Sequence, residues 1–258
     1  MAANIDTIQV YSPSMKKEIP CIVITPKGYQ AADSTARYPS IYMLHGYSGH
    51  YTDYVESMPN LQQLVDQYQI IAICPDGAFN SWYVDSPTND SVRYETFTAV
   101  ELVREIDTLY NTIKNRDFRA ILGLSMGGHG ALYLSFRHPE TFSAAASMSG
   151  GVDFRPFPTS WELNDRFGNV IFHKKDWDKY VVTEMIDQIP GNVHFLMDCG
   201  TDDFFMPVNR VFHEKLLKAN IPHDYIERPG AHDWAYWGNA ILYHFLFLKA
   251  HFEHNIRP

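Results

Sequence analysis

A chain of 258 residues, of which 45% are hydrophobic, is long enough to bury one sizeable core. Its formal net charge of −9 at pH 7, with no cluster of lysines and arginines, has the wrong sign for binding nucleic-acid phosphates or an anionic membrane. We therefore expect a single domain over residues 1–258, with neither nucleic acid nor membrane as a partner, and leave the oligomeric state open.

The three cysteines, Cys21, Cys74 and Cys199, lie in or beside apolar runs and are too few and too scattered for a disulfide framework, so we expect buried thiols. No charged leader with an apolar core opens the sequence. The apolar segment AILYHFLFLKAHF is interrupted by His244 and Lys249 and is too short to cross a bilayer. The expectation is a soluble chain, cytoplasmic if it is complete and periplasmic or secreted if a leader has been removed.

Strand patterns and helix patterns alternate along most of the chain. The runs IDTIQVYS and IPCIVITP predict an early antiparallel pair. The continuous apolar runs that follow are typical of parallel strands buried on both faces: SIYMLHG, IIAICPDG, RAILGLS, SAAASMSGG and VHFLMDCG. Helical segments lie between several of them, which predicts a three-layer α/β fold.

Two segments carry more specific expectations. The periodicity of FTAVELVREIDTLYNTI predicts a helix with one apolar face, formed by Val100, Val103, Ile106, Leu109, Tyr110 and Ile113. The segment from Asp153 to Lys179 is rich in aromatics and prolines and has no clear period. We interpret it as a cap-like insertion, at about 153–179, over one end of the sheet.

Ser125 is the candidate nucleophile. Gly123-Leu124-Ser125-Met126-Gly127 fits the pattern G-x-S-x-G, placed after a strand and at the start of a helix, as a sharp turn that exposes a serine requires. The alternative is a glycine-rich turn whose serine only caps the helix. Partners for the hydroxyl must decide between the two.

A serine hydroxyl needs a base near neutral pKa, and His232 in RPGAHDW is the best placed of the twelve histidines. In α/β hydrolases the acid lies between nucleophile and histidine in chain order, at the end of a late strand. The run VHFLMDCGTDDFF offers Asp202 and Asp203 there, whereas Asp198 lies nearer the strand interior and is interpreted as structural.

An acyl-transfer intermediate also needs two preorganised donors for its oxyanion. The backbone N–H of Met126, directly after the serine, is one candidate. The N–H of Tyr47, in the His45-Gly46-Tyr47 turn after an early strand, is the other.

Several aromatic residues lie in loops expected to meet at the carboxyl ends of the strands. Trp82 and Trp161 are the candidate substrate-binding residues, and Trp237, at the start of the last helix, is interpreted as core. Flat aromatic faces suit a sugar ring or a phenolic acyl group better than a long aliphatic chain.

The motifs LHGYSG, SWYVDSP, YETF, GLSMGGHGAL, CGTDDFF and GAHDW together resemble an esterase family of α/β hydrolases. That family includes feruloyl and acetyl xylan esterases, S-formylglutathione hydrolases and mycolyl transferases. The resemblance implies the α/β-hydrolase fold, with Ser125 as nucleophile, His232 as base and Asp203 rather than Asp202 as acid. It also implies an oxyanion hole at Tyr47 and Met126, and no cofactor.

The sequence thus predicts a serine carboxylesterase acting on small acetyl or hydroxycinnamoyl esters, with a carbohydrate as the alcohol. An acyltransferase of the same fold and a non-catalytic binding module remain alternatives. A glutathione thioesterase is less well supported, because Leu124 stands before the serine where those enzymes resemble one another in having histidine. A zinc site is not expected, since FHEKLL has Leu217 where H-E-x-x-H requires its second histidine.

Overall fold

The computed structural model describes residues 3–32 and 35–256, which contain one eight-stranded sheet. Its strands are β1 Asn4–Ser12, β2 Lys17–Thr25, β3 Ser40–Leu44, β4 Ile71–Pro75, β5 Arg119–Leu124, β6 Ala144–Met148, β7 His194–Gly200 and β8 Asp224–Arg228. Continuous apolar runs form β3 to β6, and every residue of these four strands is buried. Such strands need a helical layer on each face.

The strand order is β1-β2-β4-β3-β5-β6-β7-β8. The pairs β1–β2 and β2–β4 are antiparallel, and β4, β3, β5, β6, β7 and β8 pair in parallel. The predicted α/β class, with a mostly parallel sheet and an antiparallel N-terminal pair, is therefore confirmed. The parallel strands present their carboxyl ends at one edge, where the loops that carry the candidate site residues meet.

Helices cover both faces of the sheet. They are α1 Asp53–Ser57, α2 Leu61–Tyr68, α3 Tyr94–Thr96, α4 Leu102–Leu109, α5 Met126–Arg137, α6 Leu163–Phe167, α7 Val170–Trp177, α8 Met206–Lys218 and α9 Trp234–Ile256. Alternate residues of β3 enter different cores. Tyr42 and Leu44 belong to the core that also includes residues of α4, α5 and α8, while Ile41 and Met43 belong to the core that includes residues of α2 and α9. Each large aliphatic side chain so buried contributes about 1.5–3 kcal/mol to folding.

The apolar face expected for the fourth helix is only partly correct. A π turn, Phe97–Glu101, joins α3 to α4, and Val100 within it is 49% exposed. In a π turn the hydrogen bonds reach five residues back instead of four, so side chains before and after it follow different faces. Val103 and Ile106 are buried as expected, whereas Leu109, at the helix end, is 50% exposed.

The thiols of Cys21, Cys74 and Cys199 are buried and free, as expected. Burial raises the pKa of all three, that of Cys74 to about 12. Among the described helices, none combines the length and the apolar character needed to traverse a bilayer.

The segment 153–179, interpreted as a cap-like insertion, contains α6 and α7. Phe154, Phe167 and Trp177 from this segment are buried and contact one another. Trp161, between them in sequence, is partly exposed and reaches the carboxyl edge of the sheet. The segment therefore anchors itself with three aromatic rings and presents a fourth to the cleft described below.

Candidate active site

Ser125 occupies a strained turn between β5 and α5. Its backbone lies at φ 55° and ψ −118°, a conformation that residues with side chains rarely adopt. Close backbone approaches explain the flanking glycines, since a Cβ on Gly123 would lie 2.1 Å from the Gly127 carbonyl oxygen, and one on Gly127 would lie 2.1 Å from that of Leu44. The turn is held by a 2.9 Å hydrogen bond from the Ser125 N–H to the Met148 carbonyl.

The structure brings Ser125, His232 and Asp203 together in one hydrogen-bonded chain. The Ser125 hydroxyl lies 2.9 Å from His232 Nε2, and His232 Nδ1 lies 2.7 Å from Asp203 Oδ2. A carboxylate can only accept, so Nδ1 carries the proton and donates to Asp203, and Nε2 is free to accept from the serine. In this arrangement the histidine can take the serine proton without changing its tautomer.

The two adjacent aspartates of the β7–α8 loop differ in position. The Asp203 side chain is fully buried, and its second oxygen accepts a 2.8 Å hydrogen bond from the Phe205 N–H, whereas Asp202 is exposed. Asp198 lies within β7, fully buried, and binds Arg228 at 2.6 Å and the Tyr236 hydroxyl. Only Asp203 of the three contacts His232.

The loop after β3 lies beside the serine, with Gly46, Tyr47, Leu124 and Ser125 lining one cleft. Within the described residues, neither the Tyr47 N–H nor the Met126 N–H has an acceptor. Met126 directly follows Ser125 and Tyr47 lines the same cleft, so both N–H groups are candidate donors to a charge that develops at the serine.

His45 fixes the backbone of this loop. Its Nε2 accepts the Gly77 N–H at 2.7 Å, so its Nδ1 carries the proton and donates to the Gly46 carbonyl at 2.8 Å. Burial lowers the pKa of His45, which keeps the ring neutral and this pattern intact. The Gly46 carbonyl and the Tyr47 N–H belong to one peptide plane, so the hydrogen bond from His45 also sets the direction of that N–H.

The cleft has a volume of about 380 Å³ and is largely aromatic. Trp161, Phe204, Trp234 and Trp237 line it together with Ser125 and His232. Trp161 stacks on Phe204 with ring centroids 5.7 Å apart, and Phe204 lies 4.3 Å from the His232 ring. The walls are therefore formed largely by flat aromatic rings, and the Phe204 ring adjoins the imidazole.

Trp82 does not line this cleft, which corrects the prediction that it contacts substrate. Its ring is 1% exposed and lies behind Trp161, with centroids 6.0 Å apart. Phe154 and His129 contact its remaining edges. Trp82 lies in a loop but is buried, because the segment 153–179 folds over its ring. It packs behind Trp161 instead of contacting the cleft.

Sequence reasoning missed two residues of the cleft, Phe204 and Asp53. Phe204 directly follows Asp203, so its place beside the histidine could have been inferred from that assignment. Asp53 begins α1, eight residues after His45, and nothing in its local sequence marks it. Trp237, interpreted as core, is 7% exposed and also borders the cleft.

Among the residues described, no three histidine, cysteine or acidic side chains are grouped so that they could hold a metal ion.

Fold and site together define the α/β-hydrolase class, with a serine, a histidine and a carboxylate in contact at the carboxyl edge of the sheet. Within this class the chain belongs to the family described as "Putative esterase", whose profile matches residues 12–248. The family resemblance expected from the sequence motifs is confirmed, and the expectation that the chain is an esterase is confirmed with it.

Individual relatives agree with this placement. The chain is 27% identical over 252 residues to an acetyl esterase of Caldicellulosiruptor saccharolyticus, covering 91% of this chain and 94% of the relative. It is 29% identical to an esterase of Mycobacterium tuberculosis over 81% of this chain but 51% of that longer protein. A solved ferulic acid esterase superposes with a TM-score of 0.85 at 25% identity, over 97% of this chain and 99% of its own.

Proposed function

We propose that the protein is a serine carboxylesterase that hydrolyses small acyl esters of carbohydrates or similar alcohols, with acetyl or hydroxycinnamoyl as the acyl group. The observation that carries this proposal is the Ser125–His232–Asp203 chain of hydrogen bonds at 2.9 and 2.7 Å, at the foot of an aromatic cleft. An acetyl esterase and a ferulic acid esterase among the relatives support the choice of acyl group.

In the proposed mechanism His232 Nε2 takes the Ser125 proton as Oγ attacks the ester carbonyl. The Tyr47 and Met126 N–H groups bind the oxyanion, and Asp203 stabilises the imidazolium. His232 then gives the proton to the leaving alkoxide, which departs as an alcohol and leaves an acyl-serine. Water, deprotonated by the same imidazole, attacks the acyl-serine. The imidazolium then returns this proton to Ser125 Oγ as the acid is released, which restores the free enzyme.

The shape of the cleft supports small substrates. A volume of about 380 Å³ accommodates a sugar ring or a phenolic acyl group, and the surrounding rings provide faces for stacking. In an enclosed apolar tunnel, each added methylene would lower the activation free energy that corresponds to kcat/KM by up to about 0.8 kcal/mol, so kcat/KM would rise with chain length. We expect no such increase from acetyl to decanoyl esters.

The test is a panel of p-nitrophenyl acetate, butyrate and decanoate, methyl ferulate and acetylated xylan, assayed with the native enzyme and Ser125→Ala. Ser125→Ala should lower kcat by about 10⁶-fold without unfolding the protein, because only one oxygen is removed. A serine-reactive fluorophosphonate should label the native enzyme alone.

Each competing function predicts a different result. Labelling of Ser125→Ala, or a tenth of the native activity in that variant, would contradict the assignment of the nucleophile. A non-catalytic binding module would show neither labelling nor turnover. An acyltransferase would be revealed by faster product formation, and by ester product, when an alcohol acceptor is added.

A further inference from the structure

Asp53 is the one acidic side chain among the residues described as lining the catalytic cleft. His232 is neutral when it accepts the serine proton, and Asp203 lies buried behind it. The cleft therefore carries a negative charge that the proposed mechanism does not use. Asp53 takes no part in the Ser125–His232–Asp203 chain.

The Asp53 carboxylate is held in place but retains acceptor capacity. Its Oδ2 accepts the His50 N–H at 3.1 Å, and His50 Nδ1 lies 3.3 Å from its Oδ1. The group packs against Gly49, where a Cβ would lie 2.2 Å from Oδ2 and would displace it. A carboxylate offers about four acceptor positions, and this one is 18% exposed, so it can bind further donors.

Two tryptophan rings line the cleft beside His232, and the buried Tyr54 packs behind them. The Trp237 ring meets His232 edge-on at 4.9 Å, Trp234 meets Trp237 at 5.3 Å, and Trp234 meets Tyr54 at 5.9 Å. Tyr54 is the residue next to Asp53. Because His232 protonates the leaving alcohol, that alcohol must begin beside His232, in the same cleft that Asp53, Trp234 and Trp237 line.

We propose that Asp53 binds hydroxyl groups on the alcohol part of the substrate and so selects uncharged, polyhydroxylated alcohols such as sugars. The same charge disfavours alcohols that carry a carboxylate near the ester. This inference rests on the proposed function and specifies which alcohols the enzyme releases. Asp53 is thus a specificity-determining residue, separate from the groups that move the proton.

The experiment compares Asp53→Asn with the native enzyme on three acetyl esters that form the same acetyl-enzyme. They are ethyl acetate, a monoacetylated methyl xyloside and O-acetylglycolate, whose alcohols are plain, hydroxylated and anionic. Asparagine keeps the shape of the side chain and can still accept the His50 N–H. Asp202→Asn is the matched control, because it removes one exposed negative charge close to the site without altering the cleft.

In Asp53→Asn we expect kcat/KM for the acetylated xyloside to fall roughly tenfold relative to ethyl acetate, since a hydrogen bond to a charged group is lost. We expect kcat/KM for O-acetylglycolate to rise by a similar factor, and Asp202→Asn to leave both ratios unchanged.

Unchanged ratios in Asp53→Asn, or equal losses on all three esters, would overturn the role of Asp53 while leaving the esterase intact. A native enzyme that hydrolyses none of the three, and is not labelled by a fluorophosphonate, would overturn the proposed function and this inference together. Thermal unfolding of each variant, with fluorophosphonate labelling, verifies that a loss of activity is not a loss of structure.

Discussion

Asp202 and Asp203 show that a shift of one position along the chain decides whether a carboxylate contacts His232. They are neighbours in one loop and chemically identical, yet one is exposed and the other has a fully buried side chain bound to His232 and to the Phe205 N–H. Burial in that position is tolerable only because both carboxylate oxygens have donors. The geometry therefore leads us to expect a large effect on catalysis from replacing Asp203 and almost none from replacing Asp202.

We predict that Asp203→Asn lowers kcat/KM on p-nitrophenyl acetate by about 10⁴-fold at neutral pH, because an amide can hold the wrong histidine tautomer. Asp202→Asn should retain nearly full activity. Steady-state kinetics of both variants provides the measurement, and the reverse ranking would move the acid to Asp202.

The candidate site residues could be predicted from the sequence where a reaction mechanism requires particular residue types in a particular order. G-x-S-x-G and the chain order serine, aspartate, histidine led to three residues that the fold brings into contact. The exposure of loop side chains could not be predicted, because it depends on which loops fold over them. Trp82 and Trp161 looked equivalent in sequence, but 153–179 covers the first and presents the second.

Among the helices, the Glu95 carboxylate links α3 to α5 and to the residue that follows α5. Glu95, on α3, accepts hydrogen bonds from the Tyr133 hydroxyl at 3.0 Å, from Arg137 at 2.7 Å and from His138 at 3.0 Å. Burial acts to raise the pKa of Glu95, but its hydrogen bonds with His138 and Arg137 outweigh this and lower it. For His138 burial acts to lower the pKa, but Glu95 outweighs it and raises it.

The raised pKa of His138 gives this contact a pH dependence. The stability it contributes is fully present below the unfolded pKa of about 6.5 and is lost as pH rises through the higher folded value. Glu95, whose folded pKa is lowered, stays ionised throughout this range. Glu95→Gln should therefore lower the free energy of unfolding by about 1–3 kcal/mol, and by more at pH 6 than at pH 9.

Urea denaturation of Glu95→Gln and the native protein at the two pH values measures this difference. Glu140→Gln is the control, since Glu140 also contacts His138, at 3.3 Å, but is 69% exposed and should contribute little. An equal effect of Glu95→Gln at both pH values would exclude the ion pair with His138 as its source.

The positions of strands and helices along the chain were largely predictable. Which face of a helix is buried was less predictable. Apolar runs identified the strands because burial on both faces leaves no other composition. The π turn at Phe97–Glu101 has no such mark in sequence, and it displaced Val100 from the buried face that a regular helix would give it. The predicted single domain over 1–258 stays a prediction.

At the scale of the whole molecule, Asp198 joins three elements at one end of the sheet. This fully buried carboxylate on β7 binds Arg228, the last residue of β8, and Tyr236 on α9, and His244 of α9 lies 3.7 Å away. Burial acts to raise the pKa of Asp198, but His244, Tyr236 and Arg228 outweigh it and lower it. The loop that carries His232 connects β8 to α9, so this cluster fixes both of its ends.

We predict that Asp198→Asn lowers the free energy of unfolding by about 3–5 kcal/mol, because the guanidinium of Arg228 would remain without its counter-charge. Asp224→Asn, an exposed acid at the start of β8, should change it by less than about 0.5 kcal/mol. Denaturation curves give both values, and equal effects would show that the Asp198 charge is not important for stability.

The buried cysteines have a practical consequence. Cys21, Cys74 and Cys199 lie on β2, β4 and β7, on the antiparallel and the parallel sides of the sheet, and burial suppresses formation of the thiolate that alkylating reagents attack. A thiol reagent therefore reacts with these strands only when they open. The chain carries its own chemical reporters of local unfolding, and the order in which the three thiols become alkylated would trace the sequence in which the sheet comes apart.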